Sequence, residues 1–101
     1  MCKIDTEDLV LFSTCFKIVG LKDHYFEIQT KTGQFYCIYR EDEETSLLLH
    51  KHHEHDKYHT HRVTSSATAA LSEVLSHEKY LIKRRKEEEK IVRGRKFQII
   101  L

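Results

Sequence analysis

Between positions 9 and 40 the chain keeps returning to β-branched and aromatic residues at strand spacing. Tyr25 to Lys31 alternates, with Phe26, Ile28 and Thr30 on one side and Glu27, Gln29 and Lys31 on the other. That is the period of a strand with one buried face. Phe35 to Arg40 repeats it, setting Phe35, Cys37 and Tyr39 against Tyr36 and Ile38, and Thr32-Gly33 between the two runs supplies a hairpin turn. Leu9 to Val19 is rich in the same residue types and is closed by Gly20 and Asp23, so it reads as a first strand. Residues 1–40 are therefore expected to form a three-stranded antiparallel β-meander.

After Arg62 the period changes to that of a helix. Ser65 or Ser66 supplies a cap, and Ala67, Ala70, Leu71, Val74, Leu75, Leu81 and Ile82 form a stripe near 3.6 residues. The pattern predicts a helix over 65–93, with Gly94 as its stop. Arg95 to Leu101, with Phe97, Ile99 and Leu101 on one face, reads as a short last strand. Residues 41–63 are left as an acidic loop followed by a histidine-rich segment. The expected fold class is α+β: an antiparallel β-meander, a histidine-rich metal-binding hairpin or loop, one long C-terminal helix and a short final strand, all in a single domain 1–101.

Composition narrows the classes. A chain of 101 residues suits one core, and 40% hydrophobic with 33% charged residues is a globular balance. The longest apolar run, Leu9 to Phe12, is far short of the roughly 20 residues of a membrane span, and acids at Asp5, Glu7 and Asp8 stand where the apolar stretch of a signal peptide would begin. Cys2, Cys15 and Cys37 form no C-x-x-C pair, which points to reduced thiols and an intracellular protein. Three scattered glycines exclude a phosphate-cradling loop.

The net charge of +1 conceals an acidic half, 1–50, and a basic half, 51–101. The acidic run Glu41, Asp42, Glu43 and Glu44 is expected to end the sheet, as a solvated loop or the first turn of a short helix, and is a candidate partner-binding patch. The basic cluster Lys83 to Lys86 is followed one turn on by Glu87 to Glu89, so the pairs Lys83–Glu87, Arg84–Glu88 and Arg85–Glu89 explain it as a solvated helix face. A zinc-dependent nucleic-acid binder using Arg84 to Lys96 is the alternative.

Six of the eight histidines fall between His50 and His61. Neutral imidazole is a strong ligand for zinc and its late first-row neighbours, and a carboxylate can complete the shell. The candidate ligands are His50, His52, His55, Asp56, His59 and His61. With His55-Asp56 as a two-residue turn, a hairpin sets His52 opposite His59 and His50 opposite His61, all four on one face, with His53 and Tyr58 on the other. As a helix, the same residues give His55-Asp56-x-x-His59, which resembles the H-E-x-x-H of zinc metalloproteases, with an acid one methylene shorter. The surplus of imidazoles favours a closed structural zinc site over an open catalytic one. Cys37 is a further thiolate candidate, and His24 and His77 read as ordinary surface or packing residues.

With its charge runs, short antiparallel strands, long helix and the His50 to His61 tract, the chain resembles the small zinc-containing anti-CRISPR proteins of phages and mobile elements. That resemblance implies a non-enzyme that inhibits the RNA-guided nuclease of a type II system by stoichiometric protein binding in the bacterial cytoplasm. It implies one zinc per chain, a monomer or weak dimer, and Glu41 to Glu44 set against the basic surface of a nuclease channel. A small metal-dependent hydrolase built on the tract is the remaining class.

Overall fold

Asp5 opens the chain's first element: its side chain accepts from the Glu7 amide at 3.0 Å, and Glu7 and Asp8 add acidic charge to the first turn. The computed structural model describes the backbone over residues 2–100 and side chains over 2–91. The elements are α1 (Thr6–Cys15), β1 (Lys17–Leu21), β2 (Tyr25–Gln29), β3 (Phe35–Arg40), β4 (Ser46–Lys51), β5 (His59–Thr64) and α2 (Ala67–Ile100). The class is α+β, a five-stranded antiparallel sheet in the order β1-β2-β3-β4-β5 with two helices.

The pleat sends alternate residues to one face, and both helices cover that face. Phe26 and Ile28 of β2, Tyr36 and Ile38 of β3 and Leu48 of β4 form its floor; Phe12 of α1 and Ala67, Ala70, Leu71 and Val74 of α2 form the roof. Phe12 meets Phe26 edge-on at 5.0 Å, and burying such side chains contributes about 2 kcal/mol each. Gly33 closes the β2–β3 turn at φ +84°, a left-handed conformation that glycine adopts without strain. Ser66 caps α2 by accepting from the Ala69 amide at 3.1 Å.

Three expectations need correction. Leu9 to Cys15 is helical, not part of a strand, because Asp5 caps it and Leu9 and Phe12 follow helical spacing onto the core, with the extended C-cap Phe16 packed beside them; the first strand is confined to Lys17–Leu21. The acidic run does not end the sheet: it is the exposed turn between β3 and β4, with Asp42 accepting from the Glu44 amide at 2.8 Å. Gly94 does not stop α2, whose backbone is helical through Ile100 in place of the expected strand over 95–101. One glycine costs a helix only about 1 kcal/mol, and the chain has no proline to enforce a break. The expected face of Phe97, Ile99 and Leu101 lies outside the described side chains.

Opposite the helices the second face of the sheet carries Tyr25, Glu27, Phe35, Cys37, Tyr39, Leu47, Leu49 and Lys51. Tyr25 stacks on Tyr39 at 6.3 Å, and Lys51 Nζ lies 5.3 Å over the Phe35 ring.

Candidate metal centre

The register of β4 against β5 decides where the imidazoles go. His50 lies two residues beyond Leu48 on the helix-covered face, and it is only 3% exposed. It pairs with His59; Leu49 pairs with Thr60 and Leu48 with Arg62, so His61 is the extra residue of a β-bulge. The expected hairpin, with His50 opposite His61 and His52 opposite His59, is thus off by two residues. The connection spans 52–58 instead of a two-residue turn at His55-Asp56.

Side chains on the second face explain the longer connection. Lys51 stays paired with Phe35, donates from Nζ to Glu54 O at 2.7 Å and sits 4.5 Å over the Tyr58 ring. Tyr58 in turn donates to Glu27 Oε2 at 3.1 Å, which fixes the far end of the loop. Burial first, and then the Glu27 carboxylate, push the Tyr58 phenol up, so it stays a donor. The helical alternative does not form, because residues 55–59 are turn, loop and strand, and the His55-Asp56-x-x-His59 spacing never shares a helix face.

His50 becomes the hub of an imidazole cluster. Its ring centroid lies 4.7 Å from that of His52, 5.2 Å from His59, 5.8 Å from His61 and 5.2 Å from His77. His61 and His77 are themselves 5.1 Å apart. Four of the six expected ligands therefore come together, with His77 of α2 as a fifth imidazole. His55 and Asp56 stay in the exposed connection, and Cys37 faces away on the other side of the sheet. Burial, then the Glu27 carboxylate, raise the Cys37 thiol to about 12. His24 packs as expected, its Nδ1 3.1 Å from Cys2 O.

His77, which by sequence reads as an ordinary surface or packing residue, joins the cluster, and the helix stripe carries a signal for it. The inward positions of α2 run Ala70, Leu71 and Val74 and then turn polar at His77 and Glu78. A polar pair at inward positions needs polar partners opposite, and the sheet supplies them. Tyr36, fully buried beneath the His50 ring at 4.8 Å, forms a hydrogen bond between its hydroxyl and His77 Nδ1. His50 Nε2 meets Gln34 Oε1 at 2.8 Å. Thr32 donates to Glu78 Oε2 at 2.7 Å, and Arg85 donates to Thr32 O at 2.8 Å. Among the described residues no buried side-chain nitrogen or oxygen lacks a partner.

Electrostatics favour the uncharged form of His50 and His61. Burial, then the neighbouring imidazoles of His52, His77, His59 and His61, lower His50 to about 4. His61 is lowered as well, by burial first and by His77 next. Burial and then Glu78 push the Tyr36 phenol up. Uncharged imidazoles keep the lone pairs that a cation needs. As the side chains stand, no three His, Cys, Asp or Glu among the described residues are arranged to hold an ion; convergence on one ion takes ring rotation.

The remaining candidates lie apart from the cluster. Glu41, Asp42, Glu43 and Glu44 are exposed at the β3–β4 turn. Of the three expected helix pairs, Arg84–Glu88 forms at 3.3 Å, whereas Arg85 is drawn to the β2–β3 turn. A cavity of about 130 Å³ sits at the other end of β4, lined by Asp5, Asp8, Arg40, Ser65 and Ser66 and by none of the histidines. No helix among the described residues is long and apolar enough to cross a membrane. The chain matches no family model, no curated protein and no solved structure.

Proposed function

We propose that the protein is a metal-stapled binding domain without catalytic turnover, in which imidazoles of the β4–β5 hairpin hold one late first-row ion, zinc by the chemistry of the donors. The observation that carries this reading is the ring geometry around His50, with four other imidazoles at 4.7 to 5.8 Å. A zinc–nitrogen bond of about 2.0 Å puts a ring centroid about 3.2 Å from the ion, so two tetrahedral ligands have centroids about 5.2 Å apart. The four rings around His50 stand near that distance from it, and burial, which keeps His50 and His61 uncharged, leaves them lone pairs to offer a cation. Binding that favours the folded state adds directly to the stability of a small core.

The partner of such a domain is a protein. The resemblance carried by the histidine tract makes it the effector nuclease of a type II CRISPR system, inhibited one to one in a bacterial cytoplasm. Four exposed consecutive carboxylates, Glu41 to Glu44, give that domain a compact acidic turn to set against a basic channel. Zinc titrated into metal-free, tag-free protein is expected to bind at about one ion per chain, and chelator to lower the melting temperature. Target cleavage by the nuclease is then expected to stop at equimolar protein. Absence of zinc binding ends the metal reading; full cleavage at excess protein ends the nuclease reading.

A further inference from the structure

Three of the five imidazoles form a closed figure. His50, His61 and His77 lie at 5.8, 5.2 and 5.1 Å from one another, so each pair stands near the separation of two ligands on one tetrahedral ion. Among the described residues, the ring contacts of His52 and His59 with this triangle are to His50. A chain of neighbours cannot close on a point, whereas three mutually adjacent rings can once they turn toward a shared ion.

The triangle is also the part of the cluster that the fold orients. His50 Nε2 faces the Gln34 carbonyl oxygen at 2.8 Å, which sets the proton on Nε2 and leaves the lone pair on Nδ1. His77 Nδ1 is engaged by the Tyr36 hydroxyl, leaving Nε2. Gln34 and Tyr36 are both buried, so these supports are held by packing. Metal-bound histidines commonly have their second nitrogen held in this way. His61 is half-buried, and among the described residues it has ring contacts with Tyr36, His50 and His77 and no hydrogen bond to either ring nitrogen. A fourth position remains toward solvent, beside the exposed His52 and His59.

We infer that His50, His61 and His77 are the three protein ligands, so that the ion bridges the β4–β5 hairpin to α2 and its occupancy sets how firmly that helix is held. This rests on the metal-binding reading above and adds to it the ligand set and the mechanical consequence. Beyond Val74, the described side-chain bonds from α2 are those of His77 to β3 and of Glu78 and Arg85 to the β2–β3 turn. An ion on His77 cross-links the helix where its apolar contact with the sheet ends.

The test uses the full chain with zinc as the probe, measured by calorimetry and by hydrogen exchange of α2 peptides. His77→Gln keeps a hydrogen-bonding partner for Tyr36 while removing the imidazole, and circular dichroism checks that the fold is retained. His61→Ala is a second variant at a less buried position, and His55→Ala is the control. Zinc affinity is expected to fall by about tenfold or more in His77→Gln and in His61→Ala, and to stay within about threefold in His55→Ala. Zinc should slow exchange over residues 74–85 in the unaltered chain and not in His77→Gln. If zinc binds the unaltered chain and His77→Gln equally, with no change in helix exchange, the ligand assignment is wrong and the metal reading stands. If the unaltered chain binds no zinc, both fall.

Discussion

Replacing Thr32 by valine tests whether the polar end of the core is a stabilising network or a tolerated defect. Thr32 is nearly buried in the β2–β3 turn, and its one hydroxyl proton goes to Glu78 Oε2 at 2.7 Å. Thr30 Oγ1 lies 3.1 Å from that hydroxyl and 3.4 Å from Gln34 O, both within reach of its single proton, so the link from turn to helix is the Thr32–Glu78 bond. Valine keeps the shape and the β-branch but donates nothing. Glu78 is 7% exposed, so water cannot readily replace the lost donor. A hydrogen bond to a charged group contributes about 1.5–3 kcal/mol, and we expect a loss near 2 kcal/mol. For a chain of this size that is a fall of about 10 °C in melting temperature. Urea unfolding should show a lower midpoint with an unchanged slope. In a Glu78→Leu background the same substitution should cost nearly nothing, since no carboxylate is left to satisfy. A loss below about 0.5 kcal/mol in the unaltered chain, or an equal loss in both backgrounds, would refute the network.

Metal-free protein should lose stability as the pH falls from about 6.5 toward 4. His50 is lowered in the folded state, so the unfolded chain binds the proton first. The check is the urea midpoint with chelator at pH 7.5 and 5; a midpoint that rises on acidification contradicts the burial of neutral His50. Gly33→Ala should cost about 1 kcal/mol by thermal melting, because the loss is backbone strain at φ +84° with no atom within 4 Å of the new methyl group. A thiol reagent should modify the exposed Cys15 at once and Cys37 only on unfolding, which mass spectrometry of a time course would show.

The architecture was legible wherever one period governed a segment. The alternation over Tyr25–Gln29 and Phe35–Arg40, the turn at Gly33 and the capped start of α2 all appear as expected. Signals conflict at α1: β-branched composition argues for a strand, while the Asp5 cap, the acidic first turn and the spacing of Leu9 and Phe12 argue for a helix. Capping and spacing describe a periodic element and composition does not. In the site, the pairing of β4 with β5 through a histidine-bearing hairpin followed from the spacing, although His52 lies past the end of β4 and His61 sits in the bulge, so the pleat does not place those two. The register did not follow from the spacing, because it depends on Lys51, Tyr58 and Glu27 meeting across three strands. His77 was hidden for a related reason: a helix period fixes which side faces inward, and only tertiary placement fixes what lies opposite.

The bulge at His61 has a further consequence, for what the sheet refuses. A five-stranded meander leaves β1 and β5 with one unpaired row of backbone amides and carbonyls each, the template on which foreign strands add. Both edges are interrupted: β1 is irregular between Ile18 and Gly20, and β5 carries its extra residue between Thr60 and Arg62. Lys17 and Arg62 set charge on the same two strands. The insertion that turns His61 toward α2 also breaks the hydrogen-bonding repeat that an aggregating chain would have to copy. A single extra residue thus shapes the imidazole cluster and guards the border of the sheet.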